Sequence, residues 1–205
     1  LAESRAKAQA LVMAGEVLVD GVVVDKPGTR VRPDAAVSLR GAAVRFVSRG
    51  GEKLACALED LGIDPAGRCC LDVGASTRGA RRVVAVDVGH GQLHERLRAD
   101  PRVLVIERVN VRHLEVSELG DEPVDLVVVD VSFISLRLVL PKLAALAPAA
   151  DWLLLVKPQF EVGREQVGKG GVVRDAAARR AAADAVRAAA EALGWRPAGQ
   201  AESRV

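Results

Sequence analysis

The chain reads as an α/β protein, a mostly parallel, doubly wound sheet preceded by a small α+β module. Three observations carry that reading. First, the runs "CCLDV" and "VVAVDV" are continuously apolar rather than alternating, as strands buried on both faces are. Second, segments with helical spacing separate these runs, and alternating strands and helices build a parallel sheet. Third, the first forty residues instead hold one helical stretch and short strand runs joined by turn residues. A length of 205 residues suits one medium domain with a small appendage, and 50% hydrophobic residues allow a large core.

In order along the chain, Ala6, Ala10, Leu11 and Ala14 recur at helical spacing and Gly15 stops the helix. "EVLVDGVVVD" predicts a hairpin turning at Asp20-Gly21, "DKPGTRV" a second turn and "AAVSL" a closing strand. This unit is too small to bury much surface alone. "RGAAVRFVSRGG" is a joint rich in Gly and Arg, and "EKLACALEDLGI" is an amphipathic helix with Leu54, Ala57, Leu58 and Leu61 on one face. The strands "CCLDV", "VVAVDV", "VLVIE", "VDLVVVD" and "WLLLVK" follow, with helices near "HGQLHERLRAD", "SLRLVLPKLAAL" and "DAAARRAAADAVRAAAEAL". One helix is missing from this alternation. Only Gly74 to Arg82 separate the first two strands, too little for a turn, a helix and a return.

Composition excludes several classes. The 29 basic and 27 acidic residues nearly balance, but residues 1–50 carry eight Lys/Arg against five acids, a mild excess that suits a nucleic-acid-facing module. Cys56, Cys69 and Cys70 form no disulfide framework and are expected as reduced thiols. With no C-x-x-C pair and three scattered histidines, no metal site is expected. No apolar run approaches a membrane span and no signal peptide opens the chain, so a soluble, cytoplasmic protein is expected.

Ligands of open α/β sheets sit beyond the carboxyl ends of the strands, and polar residues collect there: Asp72 with Ser76 and Thr77, then Asp87, Asn110, Asp130 and Lys157. "LDVGAST" offers one glycine, not the G-x-G-x-x-G of a pyrophosphate cradle, and sets a carboxylate beside it. That arrangement repels phosphate and suits a cationic ligand; S-adenosylmethionine carries an ammonium and a sulfonium and no phosphate. Asp87 is placed to accept from two ribose hydroxyls, although it follows Gly74 by only 13 residues.

"VSRGGEKL", "LDVGAST", "VVAVDVGHGQL", "DLVVVDVSFISL" and "VKPQFEVG…VGKGGVVRD" resemble the TlyA family over nearly the whole chain. Its members are ribosomal RNA 2'-O-methyltransferases, also called haemolysin A. The resemblance implies an N-terminal S4-like RNA-binding domain at residues 1–41, lacking its opening helix, a linker at 42–50, and an FtsJ/RrmJ-type methyltransferase domain of Rossmann-like fold at 51–205. It implies S-adenosylmethionine as cofactor, with Asp72, Gly74, Ser76, Thr77, Asp87, Asn110 and Asp130 as its binding residues. It also implies three members of a Lys-Asp-Lys-Glu set: Lys53, Asp130 and Lys157. The late glutamate of that set follows a Ser-Pro-Gly-rich loop absent before Val205, and Glu202 does not lie in that context. The family continues "GAST" into a glycine-phenylalanine helix, so about eight residues are expected to be missing between Thr77 and Arg78, which would restore both the helix and the usual spacing to the ribose acid.

The implied chemistry explains the residue types. A ribose 2'-hydroxyl must lose its proton as it attacks a methyl group, and Lys157 serves as base only if burial or a neighbouring cation such as Lys53 lowers its pKa. Asp130 then orients more than it charges. Arg5, Lys7, Arg45 and Arg49 are candidate RNA phosphate contacts. Phe133 and Phe160, two of three phenylalanines in a chain without tyrosine, are candidate base-stacking groups. Arg164 and Lys169 lie in the long loop after Lys157 and could reach phosphates. The partner implied is ribosomal RNA or a ribosomal subunit, methylated at a cytidine ribose, with no membrane role; oligomeric state is open. Two rivals are a non-catalytic RNA-binding protein with a degenerate methyltransferase fold, and a haemolysin, for which the sequence offers neither spanning helices nor long alternating strands.

Overall fold

Short apolar runs and tight turns set the architecture, seen in a computed structural model that describes residues 4–39, 49–74, 79–91 and 93–204. Arg45, Ser76, Thr77, the side chains of Lys7 and Arg49, and the expected break between Thr77 and Arg78 lie outside the described residues. The chain divides into two compact units, Leu1–Val47 and Ser48–Val205.

In the first unit, helix α1 (Arg5–Met13) ends where Gly15 turns left-handed at φ 71°. The Gly15 N–H donates to Val12 O and the Glu16 N–H to Leu11 O, a Schellman closure. Strands β1 (Val17–Val19) and β2 (Val22–Val24) form the expected hairpin, with Asp20 and Gly21 at φ 50° and 81° as a two-residue turn of the kind that matches strand twist. Strand β3 (Val37–Leu39) pairs antiparallel with the other edge of β1. Asp20 also pins that third strand: its carboxylate accepts from the Ala36 N–H at 2.9 Å and from Arg32 at 3.1 Å. Met13 and Val22 stay exposed, as expected of a unit with little interior.

The second unit opens with α2 (Arg49–Asp60), continues through β4 (Cys69–Val73), β5 (Arg82–Asp87), the single turn α3 (Glu95–Arg98), β6 (Val103–Glu107), β7 (Leu126–Val129), α4 (Leu140–Leu146), β8 (Asp151–Leu154) and the single turn α5 (Pro158–Glu161), and closes with α6 (Ala176–Ala192). The five strands form one sheet in the order β6-β5-β4-β7-β8, and every pair is parallel. Side-chain alternation splits the core between the two faces. Leu71, Val84, Val86, Val127 and Val129 pack with Leu140 and Leu143 of α4 and Val186 of α6. Cys70, Val83, Ala85, Leu126 and Val128 pack with Leu54 of α2 and Ala80.

Where the sequence lacked a crossover helix, the residues described between β4 and β5 form no helix. The return toward β5 runs along the amino end: Ala80 bridges Ala66, and the Arg81 N–H donates to Arg68 O at 3.0 Å. The helix expected at "HGQLHERLRAD" is only the turn of α3, because Glu107 ties that segment down. Its carboxylate accepts from the Gly91 N–H at 2.9 Å, contacts His90 Nδ1 at 2.9 Å and pairs with Arg98. Burial raises the Glu107 pKa, but the bonds from Arg98, Gly91 and His90 outweigh it and hold the carboxyl below its ordinary value. Asp72, expected at a strand end, lies inside β4 and is 2% exposed. α6 starts at Asp175, whose carboxylate caps the Ala177 N–H at 2.9 Å. Beyond it Trp195 stacks on Trp152 of β8, with ring centroids 3.8 Å apart.

Gly74 joins the central strands at their carboxyl ends. It has φ 111°, and a Cβ there would stand 2.5 Å from Asp130 O, so only glycine fits. Gly74→Ala is expected to cost about 1–3 kcal/mol of stability, read by urea unfolding; a variant as stable as the parent would show that the strand ends part freely. For Glu107, the depressed pKa means stability that is present above the unfolded-state value and lost as pH falls through the folded-state value. The parent should therefore lose more stability than Glu107→Gln between neutral pH and about pH 3; parallel unfolding profiles of the two proteins would refute the role.

Candidate active site

In a sheet of this order the connections diverge at β4 and β7, and the crevice beyond their carboxyl ends is where ligands bind. The Asp130 N–H donates to Val73 O at 2.8 Å, so the first residue past β7 is fixed against the end of β4. The ladder between β7 and β8 extends one step, Leu155 N–H to Val129 O at 2.9 Å, and brings the chain after β8 alongside. Lys157 is extended because Pro158 follows it, and Pro158 starts the turn of α5. Lys157 thus stands where a strand becomes a turn, with its side chain over the sheet edge.

The Lys157 ammonium lies 2.5 Å from Asp130 Oδ1 and donates to Ser132 Oγ at 2.8 Å. Oδ1 has no aligned hydrogen-bond donor, so charge proximity holds that pair while the serine supplies direction. Both side chains are largely buried, at 19% and 27% exposure. Lys53 of α2, Asp72, Gly74 and Asp130 line one cleft of about 1400 Å³ that continues over β8 toward α6. Asp72 shapes its surroundings as well. Burial, reinforced by the Asp72 charge, pushes the Cys70 thiol up to about 12, and burial also raises Cys69.

Next to this pair, Phe133 combines two unfavourable features. Its backbone is left-handed at φ 64°, and its ring is 92% exposed. The ring sits 5.2 Å from that of Phe160, tilted by 49°. A strained backbone that presents an apolar ring to solvent marks a surface built to meet something.

The expected residues therefore separate into groups. Lys157 and Asp130 touch, Phe133 and Phe160 touch, and Lys53, Asp72, Gly74 and Asp130 share the cleft. Asp87 and Asn110 sit on the same carboxyl edge but on the β5–β6 side. Asp87 spends one oxygen on the Gly89 N–H at 2.6 Å, and Asn110 caps a short 3₁₀ turn through the Arg112 N–H. Arg5 lies on α1 in the other unit. Sequence reasoning missed Ser132 and Glu161. The Glu161 side chain, 1% exposed, accepts from Ser135 Oγ at 2.6 Å and the Leu136 N–H at 2.7 Å. The only sequence signal was Ser135 in front of "LRLVL", a helix-start residue whose partner is remote. The carboxylates Asp72, Asp87 and Asp130 at this edge fit a cationic ligand.

Comparison with known proteins shows the family. The FtsJ-like methyltransferase family matches residues 46–204 and the S4 domain matches residues 1–37. The 16S/23S rRNA (cytidine-2'-O)-methyltransferase TlyA of Mycobacterium tuberculosis is 50% identical over 97% of this chain and 78% of its own length. Hemolysin A of Brachyspira hyodysenteriae is 40% identical over 84% of this chain and 76% of its own. A solved structure from Streptococcus thermophilus, described as a candidate hemolysin, superposes with a TM-score of 0.72 at 39% identity, covering 94% of this chain and 74% of that one. No helix among the described residues is long and apolar enough to cross a membrane. The chain belongs to the FtsJ-like methyltransferase family, in the TlyA group that joins this domain to an S4 domain.

Proposed function

We propose that the protein methylates the ribose 2'-oxygen of a cytidine in ribosomal RNA, with S-adenosylmethionine as donor. The observation that carries the reading is the Lys157–Asp130 pair at the diverging strand ends, in which Asp130 packs against Gly74 and lines the same cleft as Lys53. When bound, S-adenosylmethionine supplies a methyl carbon on a sulfonium that departs as a neutral thioether. Asp87 keeps one oxygen for a ribose hydroxyl, while Asp72 supplies negative charge near the glycine turn. Ser76, Thr77 and Asn110 complete the proposed cofactor set.

Lys157 Nζ takes the proton of the 2'-hydroxyl as its oxygen attacks. A lysine accepts a proton only in its neutral form, so the reading requires the filled site to exclude water, with Lys53 as the second cation. Asp130 and Ser132 aim Nζ, and alignment of oxygen, methyl carbon and sulfur supplies much of the rate. Phe133 and Phe160 offer a stacking surface for an unpaired base. In this reading residues 1–41 form the RNA-binding module, with Arg5, Lys7, Arg45 and Arg49 on phosphates; 42–50 link it to the catalytic domain at 51–205. A ribosomal subunit is the substrate, which sets the protein to work in the cytoplasm.

Lys157→Ala should lower methyl transfer by about 10²–10⁴-fold and leave S-adenosylmethionine affinity nearly unchanged. Asp87→Ala should instead weaken the cofactor by about 1–3 kcal/mol. Isothermal titration and tritium transfer to ribosomal subunits read the two, and equal cofactor loss in both variants would reverse the roles. Arg164 and Lys169 are exposed on the loop after α5. Removing both charges should reduce the slope of log affinity against log salt by about 1–2; an unchanged slope in RNA-binding titrations would take this loop off the RNA.

A further inference from the structure

Two loops deliver the reactive groups, and each comes from a different strand. The segment after β7 carries Asp130, Ser132 and Phe133; the turn after β8 carries Lys157 and Phe160. The sheet holds the first loop as far as Asp130, through Val73 O, and the second as far as Leu155, through Val129 O; the residues beyond rely on other contacts. Glu161 spans them. It leaves the last turn of α5, and its side chain is only 1% exposed. One carboxylate oxygen accepts from Ser135 Oγ at 2.6 Å and the other from the Leu136 N–H at 2.7 Å. The Arg137 guanidinium lies 3.5 Å from Oε2 and also donates to the Glu161 carbonyl at 3.3 Å. Burying a carboxylate is costly unless its oxygens are satisfied, and here both are satisfied by the opposite loop.

We infer that Glu161 is a positioning residue for methyl transfer. It locks the register of the two loops, so that Lys157 Nζ meets Asp130 and Ser132 and the Phe133 and Phe160 rings stay in contact. It acts through Lys157 and touches no reacting atom. A planar group with two polar atoms reaches a hydroxyl and a backbone N–H at once, and the carboxylate charge adds Arg137. A misplacement of about 1 Å at Nζ costs about 10²-fold in rate. The kinetic part of the inference rests on Lys157 acting as base.

The test uses the full chain and two readouts. In side-chain NMR of the lysine ammonium groups, with the Lys157 signal identified by its loss in Lys157→Arg, Glu161→Ala should shift that signal and Glu161→Gln should return it most of the way. In methylation assays on ribosomal subunits, Glu161→Ala should lower kcat at least about tenfold, with KM for RNA and S-adenosylmethionine affinity within about twofold of the parent. Glu161→Gln should recover most of kcat with an unchanged pH profile. If Glu161→Ala does not fold, Ser135→Ala, which removes one of the same bonds, should move the Lys157 signal in the same direction. An unmoved signal in whichever variant folds overturns the inference, as does a Gln variant as slow as Ala with a shifted pH profile, which would make Glu161 a proton carrier. Full activity in Lys157→Ala would overturn the functional reading alone, because the NMR readout of positioning stands without it.

Discussion

β4 is hydrogen-bonded on both sides and buried along all five residues, and that confinement governs the rest of the catalytic unit. A strand so enclosed admits side chains that pack on both faces, which Cys69, Cys70, Leu71 and Val73 do. It admits a carboxylate only near its exit, where Asp72 stands. The chain must then leave without colliding with β7, and the absence of a Cβ at residue 74 lets the two backbones approach. Asp130 is fixed by that approach, Lys157 by Asp130, and Gly74 and Asp130 both line the cleft. The proposed chemistry sits at the edge of the most constrained strand, where the parallel ladder ends.

Catalytic geometry of this kind is divided between rigid and adjustable parts. Asp130 is one residue beyond a buried strand and inherits its rigidity. Lys157 stands on an extended segment and is placed through contacts made by others: the ion pair, the Ser132 hydroxyl and, one turn on, the Glu161 carboxylate. Phe133 shows the same division. Its backbone is left-handed, while its ring is exposed to solvent beside Phe160.

Much of this was legible in the residues. Continuous apolar runs gave five parallel strands, Asp20-Gly21 gave the hairpin, and Gly15 gave the first helix end, because these are local signals with local causes. Strand order was not legible, since a run buried on both faces does not encode its neighbours. The Lys157–Asp130 contact joins residues 27 positions apart (157 minus 130), and only the family resemblance suggested it. Asp72 was named among the polar residues at the strand ends and lies one residue short of that end, because the ladder runs on to Val73. The helix expected around His94 shrank to a turn because Glu107, remote in sequence, binds the Gly91 backbone and competes with helix formation. Ser132 and Glu161 were invisible for the same reason. A lone serine or glutamate in a loop is unremarkable until its partner is in place.

The two thiols of β4 carry a further meaning for the chemistry of the whole molecule. Thiolate, not thiol, reacts with electrophiles and oxidants, and Cys70 at about 12 and the raised Cys69 hold their protons at any physiological pH. Of the three cysteines, only Cys56 is partly open to solvent, and it borders the cleft from α2, one turn beyond Lys53. Alkylating reagents therefore meet the protein at a single address, and a fluorophore attached there would sit at the rim of the cleft without disturbing the strand on which the fold depends.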